Sequence, residues 1–381
     1  DDTPLHESEF EEYCARQSHW LDDFALFQVL KRRFNHETWV AWPDPFRYRD
    51  PEALRHAREL DHADILHIKQ QQHRFDRAWE RIRRHAGDRG IQLFGDMPIF
   101  IAHDSADTWA RPNDFLLDDE GRPTHVAGVP PDYFAALGQR WGNPHYRWER
   151  MQQDGFSWWI SRMQRQFELF DMVRIDHFRG LVAVWMIQAD CETAVDGFWQ
   201  ETPGDELLAT LQARFSELPI VAEDLGVITD EVRQLRRKYN LPGMAILQFA
   251  FDHFTDNPHK PANITADTIA YTGTHDNDTT AGWFAGLEHE VQNRIMHHLD
   301  IQHAEALCSA FIDAALGSAA QLAVVPLQDL LGLDSSARMN TPGTDLGNWN
   351  WQFRPDTLGP RLAEDLRKRL DNTDRLAVYD E

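Results

Sequence analysis

Cysteine is scarce in this chain. Cys14, Cys191 and Cys308 are the three in 381 residues, far apart and in no metal-ligand or redox spacing. The default for such thiols is a reducing compartment in which they stay idle. Cationic clusters are missing too: 38 Lys and Arg stand against 62 Asp and Glu, a formal charge of −24. No basic run is long enough to hold a phosphate backbone, so a nucleic-acid partner is excluded and a neutral substrate fits best. No apolar stretch is long enough to cross a bilayer and no signal-peptide pattern occurs, so the expected setting is cytoplasmic, away from membranes. Glycine-rich phosphate turns and P-loops are absent, as are internal repeats and low-complexity segments. The chain begins "DDTPLHE" without an initiator methionine, and an upstream segment is expected.

With 42% apolar residues the chain can bury a sizeable core. Residues 1–88 read as a helical insertion subdomain. In "SHWLDDFALFQVLKRRF", Trp20, Phe24, Phe27 and Phe34 recur near helical spacing behind a capping Ser18. "ADILHIKQQQHRFDRAWERIRRHAGDRG" forms a long amphipathic helix ending at Gly87 or Gly90. From 89 to 381 the rhythm changes to a catalytic barrel portion, in which short apolar runs alternate with helical stretches. Six such runs occur, at 91–100, 172–178, 219–226, 244–252, 268–278 and 322–332. This alternation implies parallel strands with right-handed crossovers. Residues 102–170, rich in Trp, Pro, Gly and Asn, read as an inserted loop or lid region. Its aromatics Trp109, Tyr133, Phe134 and Trp141 either pin the loops or offer faces to sugar rings.

Asp96, Asp176, Glu223 and Asp276 each fall at or near the C-terminal end of a different predicted strand. Barrel enzymes gather their chemistry at that end, so an α/β fold of the TIM-type (β/α)8 barrel, with helical and loop insertions, is preferred over a doubly wound sheet. In "MVRIDHFRG", Arg174 and Asp176 share one face of a strand. Such a pair is either a structural ion pair or a catalytic carboxylate held by its arginine. Converging acids suit glycosidic-bond chemistry, which needs one ionised carboxylate and one protonated carboxyl. Asp176 beside Arg174 suits the first role, and Glu223, emerging from the apolar "VAED", suits the second. Asp276 in "THDND" can bind sugar hydroxyls and stabilise positive charge.

The segments "GDMPIFIAHDSADTWA", "GVPPDYFAALGQRWGNPHYRW", "VRIDHFRG", "VAEDLG", "YTGTHDNDTT" and "MNTPGT" resemble the 4-α-glucanotransferase family, amylomaltase or disproportionating enzyme, within the α-amylase-like retaining barrels. The resemblance implies transfer of α-1,4-glucan segments between maltooligosaccharides, with no cofactor and no metal. By position it makes Asp176 the nucleophile, Glu223 the acid/base and Asp276 the third acid. His275 then resembles a sugar-binding histidine and Arg174 the arginine that orients the nucleophile. Asp96, Trp109, Asp252, Asn340 and, in the lid segment, Tyr133 fall where substrate contacts are expected. The six runs match the third to eighth strands of the family barrel, and the first two have no counterpart here. "DGFWQETPGDEL" departs from the family near Glu201, where a basic residue is expected. The rival readings are an α-glucan hydrolase of the same barrel group, an inactive glucan-binding fragment, and a metal-dependent barrel hydrolase using Asp176, His177, His275 and Asp276.

Overall fold

The computed structural model describes residues 7–131, 135–344 and 346–376. All six apolar runs contain a strand, and all six strands run parallel in two three-stranded sheets. In chain order the strands are β1 (Phe94–Pro98), β2 (His125–Val129), β3 (Gln139–Pro144), β4 (Met172–Asp176), β5 (Ala183–Gln188) and β6 (Gly197–Glu201), then β7 (Ile220–Ala222), β8 (Gly243–Ile246), β9 (Thr268–Tyr271) and β10 (Leu322–Val324). One parallel sheet has the order β1-β4-β7 and the other β8-β9-β10. A third, antiparallel sheet has the order β3-β2-β5-β6.

The chain divides into two compact units, residues 1–235 and 236–381. The helical segment therefore belongs with the first parallel sheet, and the division does not fall near residue 88. In the first unit the helix Glu7–Arg33 starts with Glu7 and Glu9 and ends with Lys31, Arg32 and Arg33, matching charge to the helix dipole at both ends. Ser18 is no cap: it lies inside this helix and its hydroxyl donates to the Ala15 carbonyl. The helix His62–Gly87 ends at the first of its two expected glycines. It docks where β4 begins, through Trp79 Nε1 donating to the Leu169 carbonyl at 2.7 Å and Arg83 pairing with Asp171 at 2.7 Å.

The region 102–170 holds more regular structure than loops. It contains β2 and β3 and the helix Ser157–Leu169, and β2 pairs with β5 some sixty residues further on. Gly95 in β1 is required by close packing, because a Cβ there would lie 2.3 Å from the Phe170 ring. The second unit packs Phe284, Ile295, Leu307 and Phe311 against Ala245 and Ala270 of its sheet. No helix among the described residues is long and apolar enough to cross a membrane.

Candidate active site

Register builds the first constellation. Asp96 of β1 pairs with Arg174 of β4, and Pro98 with Asp176. Ile175 pairs with Ala222 of β7, so Glu223, one residue further on, follows the same register as Asp176. In adjacent parallel strands such residues share a face. The Arg174 side chain is buried and acts as a shared clamp. Its Nε and Nη2 donate to the two oxygens of Asp96, each at 2.8 Å, and Nη2 also donates to Asp176 Oδ1 at 2.9 Å. Burial opposes the guanidinium's charge, but Asp96, Asp176 and Glu223 together hold it protonated above its ordinary range. The bidentate fork is geometry that arginine supplies and lysine does not.

Glu223 is held differently. Its Oε2 accepts from the His177 backbone N–H at 2.7 Å and its Oε1 from the Leu225 N–H at 3.0 Å. These amides and Arg174 favour the charged form, yet burial and the neighbouring Asp176 outweigh them and push the acid up to about 8. The strand ends have thus sorted two carboxylates, Asp176 against a guanidinium and Glu223 kept protonated near neutrality. This is the division of labour that glycosidic-bond exchange requires.

His177 takes the left-handed conformation, φ +55°, as the chain leaves β4, which aims its N–H at Glu223. Its ring meets Trp141 edge-on at 4.8 Å, and burial, then Arg179, lowers its pKa to about 4. Backbone donors leave no side-chain signature, so the His177 and Leu225 amides were not legible in the sequence. Among the described residues no three His, Cys, Asp or Glu side chains converge as a metal-holding set.

The second unit holds its own constellation after β9. Asp276 Oδ1 accepts from Asn340 Nδ2 at 2.7 Å, and Oδ2 lies 3.4 Å from His275 Nε2. Arg338 ties the two segments together: Nη2 donates to the Asp276 carbonyl and Nε to the Asn340 carbonyl, both at 2.8 Å. The Asn340 N–H closes back on the His275 carbonyl at 3.1 Å. Sequence reading missed Arg338, which sits one residue before the quoted "MNTPGT". Asp252 stands apart from this group. It accepts from the Phe254 N–H at 3.2 Å and lies 3.6 Å from Lys260 Nζ.

Trp109 requires a correction. It offers no face to a ligand, being fully buried, with Nε1 donating to the Phe46 carbonyl at 2.9 Å. Phe27 and Trp42 pack against it and the Arg49 guanidinium lies over the ring at 4.2 Å. Tyr133 and Phe134 lie outside the described residues.

Two parallel sheets carrying acids at their C-terminal ends, with a clamped aspartate beside a protonated glutamate, define an α/β enzyme equipped for carbohydrate bonds. More particularly, the chain belongs to the 4-alpha-glucanotransferase family, which matches residues 2–357. The 4-alpha-glucanotransferase of Thermus thermophilus is 46% identical, over 98% of this chain and 76% of its own length. That of Synechocystis sp. is also 46% identical, over 94% of this chain and 71% of its own length. Among solved structures, an amylomaltase from Streptococcus agalactiae in complex with acarbose superposes with a TM-score of 0.93 at 35% identity. That match covers 97% of this chain and 75% of the streptococcal one.

Proposed function

We propose that this 4-α-glucanotransferase works by a retaining double displacement, with Asp176 as nucleophile and Glu223 as acid/base. Glu223 gives its proton to the α-1,4 glycosidic oxygen as Asp176 attacks the anomeric carbon. The C1–O4 bond breaks, the leaving chain departs with a free 4-OH, and a β-glucosyl ester forms on Asp176. Glu223, now ionised, takes the proton from the 4-OH of an acceptor chain. That oxygen attacks C1, frees the Asp176 carboxylate and restores the α configuration. The carrying observation is the sorting of the two acids: Arg174 clamps Asp176, while Glu223 beside it is pushed up to about 8.

Asp96 then serves chiefly to fix Arg174, since both its oxygens accept from the guanidinium. Asp276 is the third acid, stabilising the flattened, positively charged sugar. Asn340 and His275 orient it, and His275 and Asp252 bind sugar hydroxyls. Acarbose in the streptococcal neighbour supports an oligosaccharide ligand. The six parallel strands correspond in order to the third through eighth strands of the family's (β/α)8 barrel. Two runs of three parallel strands, at the sequence positions that the resemblance implied, support this assignment. The free thiols Cys14, Cys191 and Cys308 support a cytoplasmic setting.

The test is chromatography of products after incubation with maltotriose. Longer and shorter oligomers are expected, and they should vanish with Asp176→Asn. Steady release of glucose without longer chains would make the chain a hydrolase instead.

A further inference from the structure

The segment after Asn340 contains a residue that packing does not explain. Trp349 has a left-handed backbone, φ +59°, and its side chain is 60% exposed. A bulky aromatic in that conformation is a genuine outlier, and it persists only where its surroundings enforce it. The surroundings do enforce it. The Trp349 N–H donates to the Met339 carbonyl at 2.8 Å, closing the loop on itself. Inside the loop Asn348 Oδ1 accepts from the Thr341 N–H at 2.9 Å, and Asn348 Nδ2 donates to the Thr344 carbonyl at 2.8 Å.

The result is an indole held out in the open rather than folded into a core. It has a definite neighbour, because the His275 ring lies 5.1 Å from it, centroid to centroid, tilted by 42°. The same loop begins at Asn340, which holds Asp276. One closed loop therefore delivers an amide to the acid and an aromatic face to the histidine. Strain spent on exposing a large apolar surface makes sense where a ligand covers that surface. Sugar rings present C–H faces that stack on indoles, as other apolar groups pack on aromatic faces.

We propose that Trp349 is a substrate contact in its own right, a stacking surface for a glucosyl ring next to His275. The inference rests on reading His275 and Asp276 as sugar-binding groups, and the experiment separates the two. Trp349→Gly, Trp349→Phe and His275→Ala are compared in maltotriose disproportionation, with kcat, KM and Tm measured for each. Glycine adopts the left-handed backbone without strain, so the Gly variant should keep or raise Tm. Losing the stacking face should raise its KM about tenfold while kcat stays within about threefold, and phenylalanine should recover most of the KM. An unchanged KM in Trp349→Gly, or a raised KM that phenylalanine fails to restore, overturns the proposal. If His275→Ala loses kcat/KM while Trp349→Gly does not, the stacking surface alone fails. If His275→Ala is also silent, the reading of the whole region fails with it.

Discussion

The ends of the two parallel sheets solve the same problem, holding a carboxylate in a fixed pose, by different means. After β4 the device is a charge. The buried Arg174 grips two aspartates, while Glu223 is left to backbone amides. After β9 the device is neutral. An asparagine amide grips Asp276, and the nearby Arg338 spends its donors on backbone carbonyls. A guanidinium fixes the charge state as well as the position, whereas an amide fixes position alone. The roles proposed for Asp176 and Asp276 divide accordingly. A nucleophile must be ionised at all times, and an acid that follows charge developing on a sugar needs chiefly to be well aimed.

The most severe way to test this division is to remove the ionised group. Asp176→Asn leaves a hydrogen-bonding side chain for Arg174 but removes the carboxylate proposed as the nucleophile. The expected loss is at least about 10⁴-fold in kcat for maltotriose disproportionation, with the fold intact by circular dichroism. Retention of even a hundredth of the activity would move the nucleophile elsewhere.

Glu223→Gln is expected to cost about 10²–10⁴-fold, the range of general acid–base catalysis. The wild-type pH profile sharpens the point. Glu223 must carry its proton to act as the acid, and burial, then Asp176, holds that proton up to about 8. The plot of kcat/KM should therefore fall as pH rises through about 8, since that ratio reports the free enzyme. A fall beginning near the ordinary carboxyl range would show that the amides of His177 and Leu225, and not burial, control the site.

Folding stability should show the same proton. The folded chain holds it up to about 8, whereas an unfolded glutamate releases it near 4.3. Between those values the native state binds more protons than the unfolded state. The stabilising contribution is thus complete below the unfolded value and is lost as pH rises through the folded one. Glu223→Gln should flatten this decline and gain on the wild type in Tm from pH 5 to 8. Parallel Tm curves for the two proteins would contradict the burial of this acid.

The sequence exposed the six parallel strands because each lies in a compact apolar run, and β4 and β7 lead straight into an acid. "MVRID" and "PIVAED" carry their own signal in period and composition. The antiparallel sheet was hidden for physical reasons. Strand β3, "QRWGNP", contains glycine and proline and little alternation, and β6, "GFWQE", is exposed along its whole length. What makes them strands is pairing with their chain neighbours β2 and β5, which are themselves joined by a pairing between distant parts of the chain. Trp109 misled in a related way. A tryptophan beside Pro112 and Asn113 looks the same in sequence whether it faces solvent or inserts between Phe27 and Trp42. Asp176 and Glu223 were legible as residue types on strand ends. The two amides that hold Glu223 were not, because every residue but proline has one.

The mildest test addresses the neutral half of the comparison. Asn340→Ala removes the amide that donates to Asp276 Oδ1 at 2.7 Å and leaves Arg338 holding the backbone. The acid keeps its charge and loses only its aim, so the expected loss in kcat/KM is about tenfold, the worth of one hydrogen bond to a charged group. Little change in Tm should accompany it, because Asp276 remains partly exposed to water. Asn340→Asp sharpens the contrast, since it sets a second negative charge where the amide donor was. If Asp276 is positioned by a neutral donor, the aspartate variant must be worse than alanine at pH 7, and acidification should narrow the gap as the new carboxyl takes up a proton. Equal activity of the two variants at all pH values would mean that Asn340 merely fills space, and the proposed difference between the two sheet ends would fall.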